Sequence, residues 1–303
     1  MGKTEFAESF DGAKIAYQVY GEGDLTIFLS NGIGCHRVFM QYLIDDLSKH
    51  YRVIFWHYRG HMESPPPPSP KDWTMDMNIL DMLAVMRKTG TKQAVLGGFS
   101  MGVQINLEFY RRYPDRVLGI MNLCGPYEYA LRTFYYIGPV WTKTMPLVHK
   151  LVKTIPGISK KVWSVVLEGP WAFTVAGWVI YNPDRMQRKD FDLYRPHFVN
   201  INLDQFIQGA LYLNEHSAAD VLPDIDVPTL IVAGTNDNFT PLRVNRVMHR
   251  LIPGSEILEV EGGTHATLLE FPDVVNPRVM SFLKKHFGRK DEIKPSGEKA
   301  AAS

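Results

Sequence analysis

The chain has few cysteines and no long apolar run. Its 303 residues include two cysteines, Cys35 and Cys124, so at most one disulfide could form. Both lie in segments whose composition is typical of a core, so we expect two free thiols and a reducing compartment. No apolar run is long enough to cross a bilayer, and therefore no stable membrane span is predicted.

The chain also has almost no net charge. Its 33 Lys and Arg residues face 32 Asp and Glu residues, which leaves a formal net charge of +1. We therefore expect no nucleic-acid partner, and affinity for an anionic membrane would need a local basic patch. Residues 1–10 are polar and acidic and lack the basic and apolar regions of a signal peptide, which predicts a cytoplasmic location.

Short apolar runs alternate along the chain with segments of helical periodicity. Strands are predicted at 13–19, 25–29, 51–56, 94–96, 117–123, 229–233 and 256–260, and helices at 39–47, 75–88, 103–113 and 274–287. This alternation predicts an α/β fold, with a mostly parallel sheet covered by helices on both faces.

The alternation breaks between residues 126 and 219, where helix-like pieces occur without a convincing buried strand. We interpret 126–219 as a helical cap inserted into a core formed by 1–125 and 220–289. Its aromatic side chains either form the core of the cap or line an apolar acyl or aryl pocket. They are Tyr127, Tyr129, Phe134, Tyr135, Tyr136, Trp141, Trp163, Trp171, Phe173 and Trp178. The composition of 290–303, rich in Lys, Glu, Ser and Ala, predicts a disordered tail.

The most informative motif is Gly-Phe-Ser-Met-Gly at residues 98–102. It follows a predicted strand and precedes a predicted helix. This context predicts a sharp turn that projects the Ser100 hydroxyl beyond the sheet, with glycines where a side chain would collide with the neighbouring strand or helix. A serine hydroxyl is a weak nucleophile, so it needs a base and an acid that orients the base.

Candidates for the acid and the base follow two later strands. Asp237 comes after the strand at 229–233, and His265 comes after the strand at 256–260. Because the carboxyl ends of parallel strands meet at one edge of a sheet, both side chains can face Ser100. Asp226 is the nearer rival to Asp237, and Asp220 lies close in sequence, but Asp226 precedes its strand and belongs to the opposite edge.

Three motifs together carry a family resemblance: 98–102, Gly-Thr-Asn-Asp at 234–237 followed by Pro241, and Gly-Thr-His at 263–265. On these motifs the chain resembles the α/β-hydrolase fold superfamily over roughly residues 5–287. The resemblance implies that Ser100 is the nucleophile, His265 the general base and acid, and Asp237 the residue that orients His265. It also implies an oxyanion hole made by the main-chain N–H groups of Ile33 and Met101.

The chain departs from the pattern of this family in two loops. The oxyanion loop usually begins His-Gly, and here Asn31 replaces the histidine; the donor is a main-chain group, so the replacement need not harm it. Relatives often have Asp-x-Arg-Gly-x-Gly-x-Ser where residues 57–64 read His-Tyr-Arg-Gly-His-Met-Glu-Ser. His57 and His61 have a metal-like spacing if helical, but they lie in a glycine-containing loop without an evident third ligand. We expect hydrogen-bonded loop histidines, no metal and no cofactor.

These residues favour a serine hydrolase that cleaves a carboxylic ester through an acyl-enzyme. The aromatic cap implies a small-molecule, ester-like substrate with apolar bulk. The same triad also serves lactonases, thioesterases, amidases and carbon–carbon bond hydrolases, and Gly-Phe-Ser-Met-Gly resembles the motif of cofactor-free perhydrolases. An alternative of another class is a ligand-binding protein that keeps the fold without turnover. The sequence leaves the oligomeric state open.

Overall fold

A computed structural model describes residues 2–69 and 73–288, so the tail predicted at 290–303 lies outside the described residues. Within those ranges one eight-stranded sheet forms. Its strands are β1 (Thr4–Glu8), β2 (Lys14–Tyr20), β3 (Thr26–Ser30), β4 (Arg52–Trp56), β5 (Ala94–Phe99), β6 (Val117–Leu123), β7 (Thr229–Gly234) and β8 (Glu256–Val260).

The strand order is β1-β2-β4-β3-β5-β6-β7-β8. Strand β2 runs antiparallel to both of its neighbours, and the other pairings are parallel. The predicted fold class, a mostly parallel sheet within an α/β architecture, is therefore confirmed. The carboxyl ends of β5, β7 and β8 lie at one edge, where the candidate residues follow.

The α-helices of the described residues are α1 (Gln41–Leu47), α2 (Met75–Lys88), α3 (Met101–Arg112), α4 (Gly138–Thr154), α5 (Pro156–Glu168), α6 (Ala172–Val179), α7 (Arg188–Val199), α8 (Leu203–Leu213), α9 (Leu242–Leu251), α10 (Thr267–Glu270) and α11 (Pro272–Phe287). Helices α2, α3 and α9 contribute to the core on one face of the sheet, and α1 and α11 to the core on the other. None of the described helices is long and apolar enough to cross a membrane.

The central strands β3, β5 and β7 are mostly apolar because the sheet is buried on both faces there. In β3, Phe28 packs into one core, whereas its neighbours Ile27 and Leu29 pack into the other. This alternation is the two-residue period of an extended chain. All five residues of β3 are buried, including the polar Thr26 and Ser30 at its ends, as expected for a central strand.

Several elements of the core are not predicted by apolar periodicity, among them β1, α9 and the short helix α10. Strand β1 is an edge strand of mostly exposed side chains, so it has no apolar run to mark it. Helix α9 is not predicted either, although Val244 and Met248 bury one side of it. The segment predicted as a helix at 39–47 begins instead with a 3₁₀ turn, Arg37–Met40, before α1.

Between β6 and β7 the chain forms helices α4 to α8, with one isolated bridge that pairs Glu128 with Ser217. Several contacts join this segment to the loops at the carboxyl edge of the sheet. The Tyr135 N–H donates to Asn238 O at 2.6 Å, Thr264 Oγ1 lies 3.0 Å from Ile180 O, and Tyr194 Oη donates to Gly34 O at 3.4 Å. The segment thus packs on the same edge of the sheet as Ser100.

Candidate active site

Ser100 lies in a sharp turn between β5 and α3. Its backbone has φ 53° and ψ −117°, in a region that residues other than glycine rarely adopt. The Ser100 N–H donates to Leu123 O at 3.1 Å, and the Val103 N–H donates to Ser100 O at 3.0 Å. Hydrogen bonds to β6 and to the first turn of α3 therefore hold Ser100 in its strained conformation. Strained residues at functional sites are usually fixed by their surroundings in this way.

The two glycines of the motif permit this turn. A Cβ at Gly98 would lie 2.5 Å from the main chain of Gly102, and a Cβ at Gly102 would lie 2.1 Å from Ser30 O. Both distances are far below van der Waals contact. The turn consequently needs glycine on each side of the serine, for the steric reason inferred from the motif.

The structure brings Ser100, His265 and Asp237 into one hydrogen-bonded chain. His265 Nε2 lies 3.0 Å from Ser100 Oγ, and His265 Nδ1 lies 3.0 Å from Asp237 Oδ2. Asp237 is 1% exposed and His265 is 7% exposed, whereas Ser100 is half-buried at the rim. With the proton on Nδ1, the imidazole donates to the carboxylate and accepts from the serine hydroxyl, which is the arrangement a serine nucleophile requires.

Hydrogen bonds keep the Asp237 carboxylate charged despite its burial. Its Oδ1 accepts from the N–H groups of Phe239 and Thr240 at 2.8 and 2.9 Å, and its Oδ2 accepts from Thr240 Oγ1 at 2.7 Å. Burial alone would raise the pKa of Asp237, but the nearby His265 and these donors hold the pKa below its usual value. A charged acid can orient His265 and stabilise its protonated form.

Two aromatic rings flank the imidazole of His265. The Phe239 ring is stacked on it, with centroids 4.8 Å apart and planes 17° apart, and the Phe99 ring lies 5.2 Å away at 34°. These contacts restrict rotation of the imidazole. The spacing of the motif residues does not reveal this clamp, because Phe99 and Phe239 are distant in sequence.

The loop that carries Ile33 lies against the serine. A Cβ at Gly32 would be 3.1 Å from Ser100 Cβ, so the main chain passes directly beside the nucleophile. Within the described residues, the N–H groups of Ile33 and Met101 have no main-chain acceptor, and Met101 begins α3. Both donors are thus available at the site where an oxyanion would form.

His61 supports the loop that carries Ile33. The Gly34 N–H donates to His61 Nε2 at 2.7 Å, and His61 Nδ1 donates to Arg59 O at 3.1 Å. Both ring nitrogens of His61 therefore have protein partners, as predicted for a loop histidine. The same prediction is wrong for His57, whose Nε2 is buried without a hydrogen-bond partner among the described residues. The Tyr58 hydroxyl donates to Asn31 O at 2.7 Å, and Asn31 Oδ1 accepts from the Gly32 N–H at 2.9 Å. Asn31 thus braces the loop.

Residues 57–64 are anchored by a buried arginine. The Arg59 guanidinium binds Asp81 through two hydrogen bonds of 2.8 and 2.9 Å and also binds Asp11. In this loop Met62 has φ 49°, at the position where relatives often have glycine. The strain at Met62 is compensated by the ion pairs and by the bond from Ser64 Oγ to His57 O.

The alternative acids, Asp226 and Asp220, have other partners in the structure. Asp226 Oδ1 accepts from the Tyr110 hydroxyl at 2.8 Å, at the beginning of β7. Asp220 pairs with Arg111.

Cys35 and Cys124 are free thiols. Burial raises the pKa of the Cys35 thiol to about 12, which makes it a poor nucleophile.

Glu270 is a buried acid that the motifs do not reveal. Its Oε2 accepts from the Thr264 N–H at 2.9 Å, and its Oε1 accepts from Thr264 Oγ1 at 2.7 Å and from the Asn182 N–H at 2.5 Å. Burial raises the pKa of Glu270, although these donors oppose the rise. Glu270 therefore ties the residue before His265 to the inserted segment.

We expect Glu270→Gln to lower kcat by about 10- to 100-fold with little change in KM, because a small displacement of His265 slows proton transfer more than binding. The glutamine NH₂ group cannot accept from the Thr264 N–H. Steady-state hydrolysis of an activated ester measures the effect. The control is Glu261→Gln, an exposed acid in the loop between β8 and His265, and equal kinetics of the two variants would remove the positioning role of Glu270.

A cavity of about 250 Å³ opens beside His265. The inserted segment contributes Gly177, Val179, Ile180, Tyr181, Asn182 and Pro183, and the loops after β7 and β8 contribute Asn236, Asn238, Thr264 and His265. Tyr181 lines this cavity, although it is not among the ten aromatic residues predicted for the pocket or the cap core. Phe134 packs on Phe239, with centroids 4.3 Å apart.

The chain is similar in sequence and in structure to known hydrolases. A sequence model described as the alpha/beta hydrolase fold matches residues 27–272. A relative from Azorhizobium caulinodans, named for carbamate hydrolysis, is 24% identical over 276 residues, which cover 89% of this chain and 95% of the relative. A relative from Oryza sativa subsp. japonica, named as an esterase, is 24% identical over 275 residues, with 88% and 94% coverage. The crystal structure of a hydrolase from Pseudomonas aeruginosa has a TM-score of 0.76 at 22% identity, covering 93% of this chain and 98% of that one.

Proposed function

The chain belongs to the alpha/beta hydrolase fold family, and from this premise we propose that it is a serine hydrolase that cleaves a carboxylic ester through an acyl-enzyme. The observation that carries the proposal is the chain of two 3.0 Å contacts from Ser100 through His265 to Asp237. Relatives named for esterase and carbamate hydrolase activity support an enzyme of the hydrolase class.

Each proposed role follows from a contact in the site. His265 Nε2 takes the proton of Ser100 Oγ as that oxygen attacks the ester carbonyl, and Asp237 stabilises the resulting imidazolium. The N–H groups of Ile33 and Met101 bind the oxyanion. His265 then protonates the departing alcohol, and water activated by the same nitrogen hydrolyses the acyl-enzyme to the carboxylic acid and free serine.

We further propose that residues 126–219 act as a cap on a core of 1–125 and 220–289. Support comes from the contacts of this segment with the loops that carry Asn238, Thr264 and Gly34. The cap side of the cavity beside His265 carries Val179, Ile180 and Tyr181. These three side chains can contact an apolar acyl or alcohol group, whereas Asn182, Asn236 and Asn238 make the rest of the lining polar.

A panel of activated substrates tests the reaction class. It contains p-nitrophenyl esters of increasing chain length, an aryl carbamate, a lactone and a thioester. The proposal expects the highest kcat/KM for a carboxylic ester. A higher kcat/KM for the carbamate, the lactone or the thioester would keep the mechanism and change the substrate class, and peracid formation from acetate and hydrogen peroxide would indicate a perhydrolase.

We expect Val179→Trp to raise KM for long-chain p-nitrophenyl esters by about tenfold while KM for the acetate stays unchanged, because the indole fills the cavity beside His265. The matched control is Val166→Trp, a similarly exposed valine outside the cavity. The measurement is KM for p-nitrophenyl esters of increasing acyl chain length. If KM depended on chain length in the same way in both variants, the cavity would not hold the acyl chain.

A further inference from the structure

Helices α4 and α5 carry an apolar face that is exposed to solvent. Its side chains recur at helical spacing and are 51–67% exposed. This docking face consists of Val140, Leu147 and Leu151 on α4 and of Ile158, Val162 and Val165 on α5. Exposed apolar side chains that cluster on two neighbouring helices are typical of an interaction site.

The inward sides of the same helices already have their partners. On α5, the Trp163 indole N–H donates to Phe198 O at 2.8 Å. On α4, His149 is buried, and its Nε2 lies 2.5 Å from Asp204 Oδ1. The docking face is therefore not used to hold these helices on the protein.

The segment that bears the docking face is strongly basic. Between residues 129 and 167 there is no Asp or Glu, whereas the basic residues are Arg132, Lys143, Lys150, Lys153, Lys160 and Lys161. All five lysines are exposed. This is a local patch of the kind that a chain with net charge +1 needs in order to bind an anionic surface.

We propose that the docking face binds an anionic lipid surface, with its apolar side chains in the interface and the lysines on the headgroups. No described helix is long and apolar enough to span a bilayer, so α4 and α5 would lie in the plane of the interface. A second copy of the chain fits less well, because a two-fold interface on this face would bring the lysine-rich segments of both copies together. This binding does not depend on the proposed catalytic activity.

The test is co-sedimentation with vesicles of phosphatidylcholine alone and with about one-third phosphatidylglycerol. We expect the protein to sediment with the anionic vesicles and to be released by salt. The triple variant Lys143→Gln, Lys150→Gln, Lys160→Gln and the double variant Leu147→Gln, Val162→Gln should each bind at least about tenfold more weakly. Circular dichroism checks that the variants are folded, independently of the proposed activity.

Matched controls replace the same residue types elsewhere on the surface. These are Lys88→Gln, Lys92→Gln, Lys284→Gln for charge and Leu251→Gln, Val274→Gln for apolar area, and both should bind as the wild type does. Equal losses in the variants and the controls would overturn the proposal, and so would a wild type that stays in the supernatant. A dimer that the Leu147→Gln, Val162→Gln variant converts to monomer, without vesicle binding, would assign the face to a second copy instead.

Discussion

Ser100→Ala is expected to lower kcat for an activated ester by about 10⁵- to 10⁶-fold while the protein stays folded. The change removes the oxygen that lies 3.0 Å from His265 Nε2, and no other serine can occupy the strained turn between β5 and α3. Asp237→Asn should lower kcat by about 10⁴-fold, because the amide favours the wrong tautomer of His265. Steady-state kinetics with a p-nitrophenyl ester, together with circular dichroism, measure both effects.

Residues that act as a unit are not additive. The double variant Ser100→Ala, His265→Ala should therefore be little slower than Ser100→Ala alone. Asp226→Asn is the matched control for the acid, since Asp226 binds Tyr110 at the beginning of β7. Near-normal turnover of Asp237→Asn beside a slow Asp226→Asn would reverse the assignment of the acid.

Acidification from about pH 6.5 to 4.5 is expected to lower the free energy of unfolding by several kcal/mol. Burial, with smaller contributions from neighbouring histidines, lowers the pKa of His57 to about 3, and burial lowers the pKa of His61 to about 4. The unfolded chain binds protons at both residues below about pH 6.5, whereas the folded chain does not. The two neutral histidines consequently contribute their full stabilisation of the folded state above about pH 6.5, and this contribution is lost as the pH falls.

Urea unfolding at a series of pH values measures this dependence. Between pH 6.5 and 4.5, the free energy of unfolding of the variant His57→Gln, His61→Gln should depend less steeply on pH than that of the wild type. The difference should correspond to about two fewer protons taken up on unfolding, since each group contributes about 1.4 kcal/mol per pH unit. His50→Gln, at an exposed position, serves as the control. An unchanged slope in the double variant would mean that the two imidazoles are not kept neutral by the fold.

The fold class and the placement of Ser100 could be predicted because they depend on local patterns. Continuous apolar runs predict central strands, and two glycines flanking a serine predict the turn. Parallel strands bring their carboxyl ends to one edge, so the order of Ser100, Asp237 and His265 was enough to predict that the three lie together.

The supports of the site could not be predicted, because each depends on tertiary contacts between distant segments. Glu270 reaches Asn182 across 88 positions, and His61 reaches Gly34 across 27. No periodicity connects such pairs. His61 stands at a position that the family pattern leaves unspecified, and its role as the acceptor for the Gly34 N–H appears only in the folded chain.

The most direct test of the acyl-enzyme mechanism is mass spectrometry of the intact protein after reaction with a fluorophosphonate. The hydroxyl of Ser100 should displace fluoride, giving one adduct that maps to the peptide containing Ser100 and is absent from Ser100→Ala. His265→Ala should react far more slowly, and the unlabelled wild type should turn over p-nitrophenyl esters steadily. An adduct on another residue would contradict the account, as would a labelled Ser100 in a wild type that shows no turnover, which would indicate a ligand-binding protein.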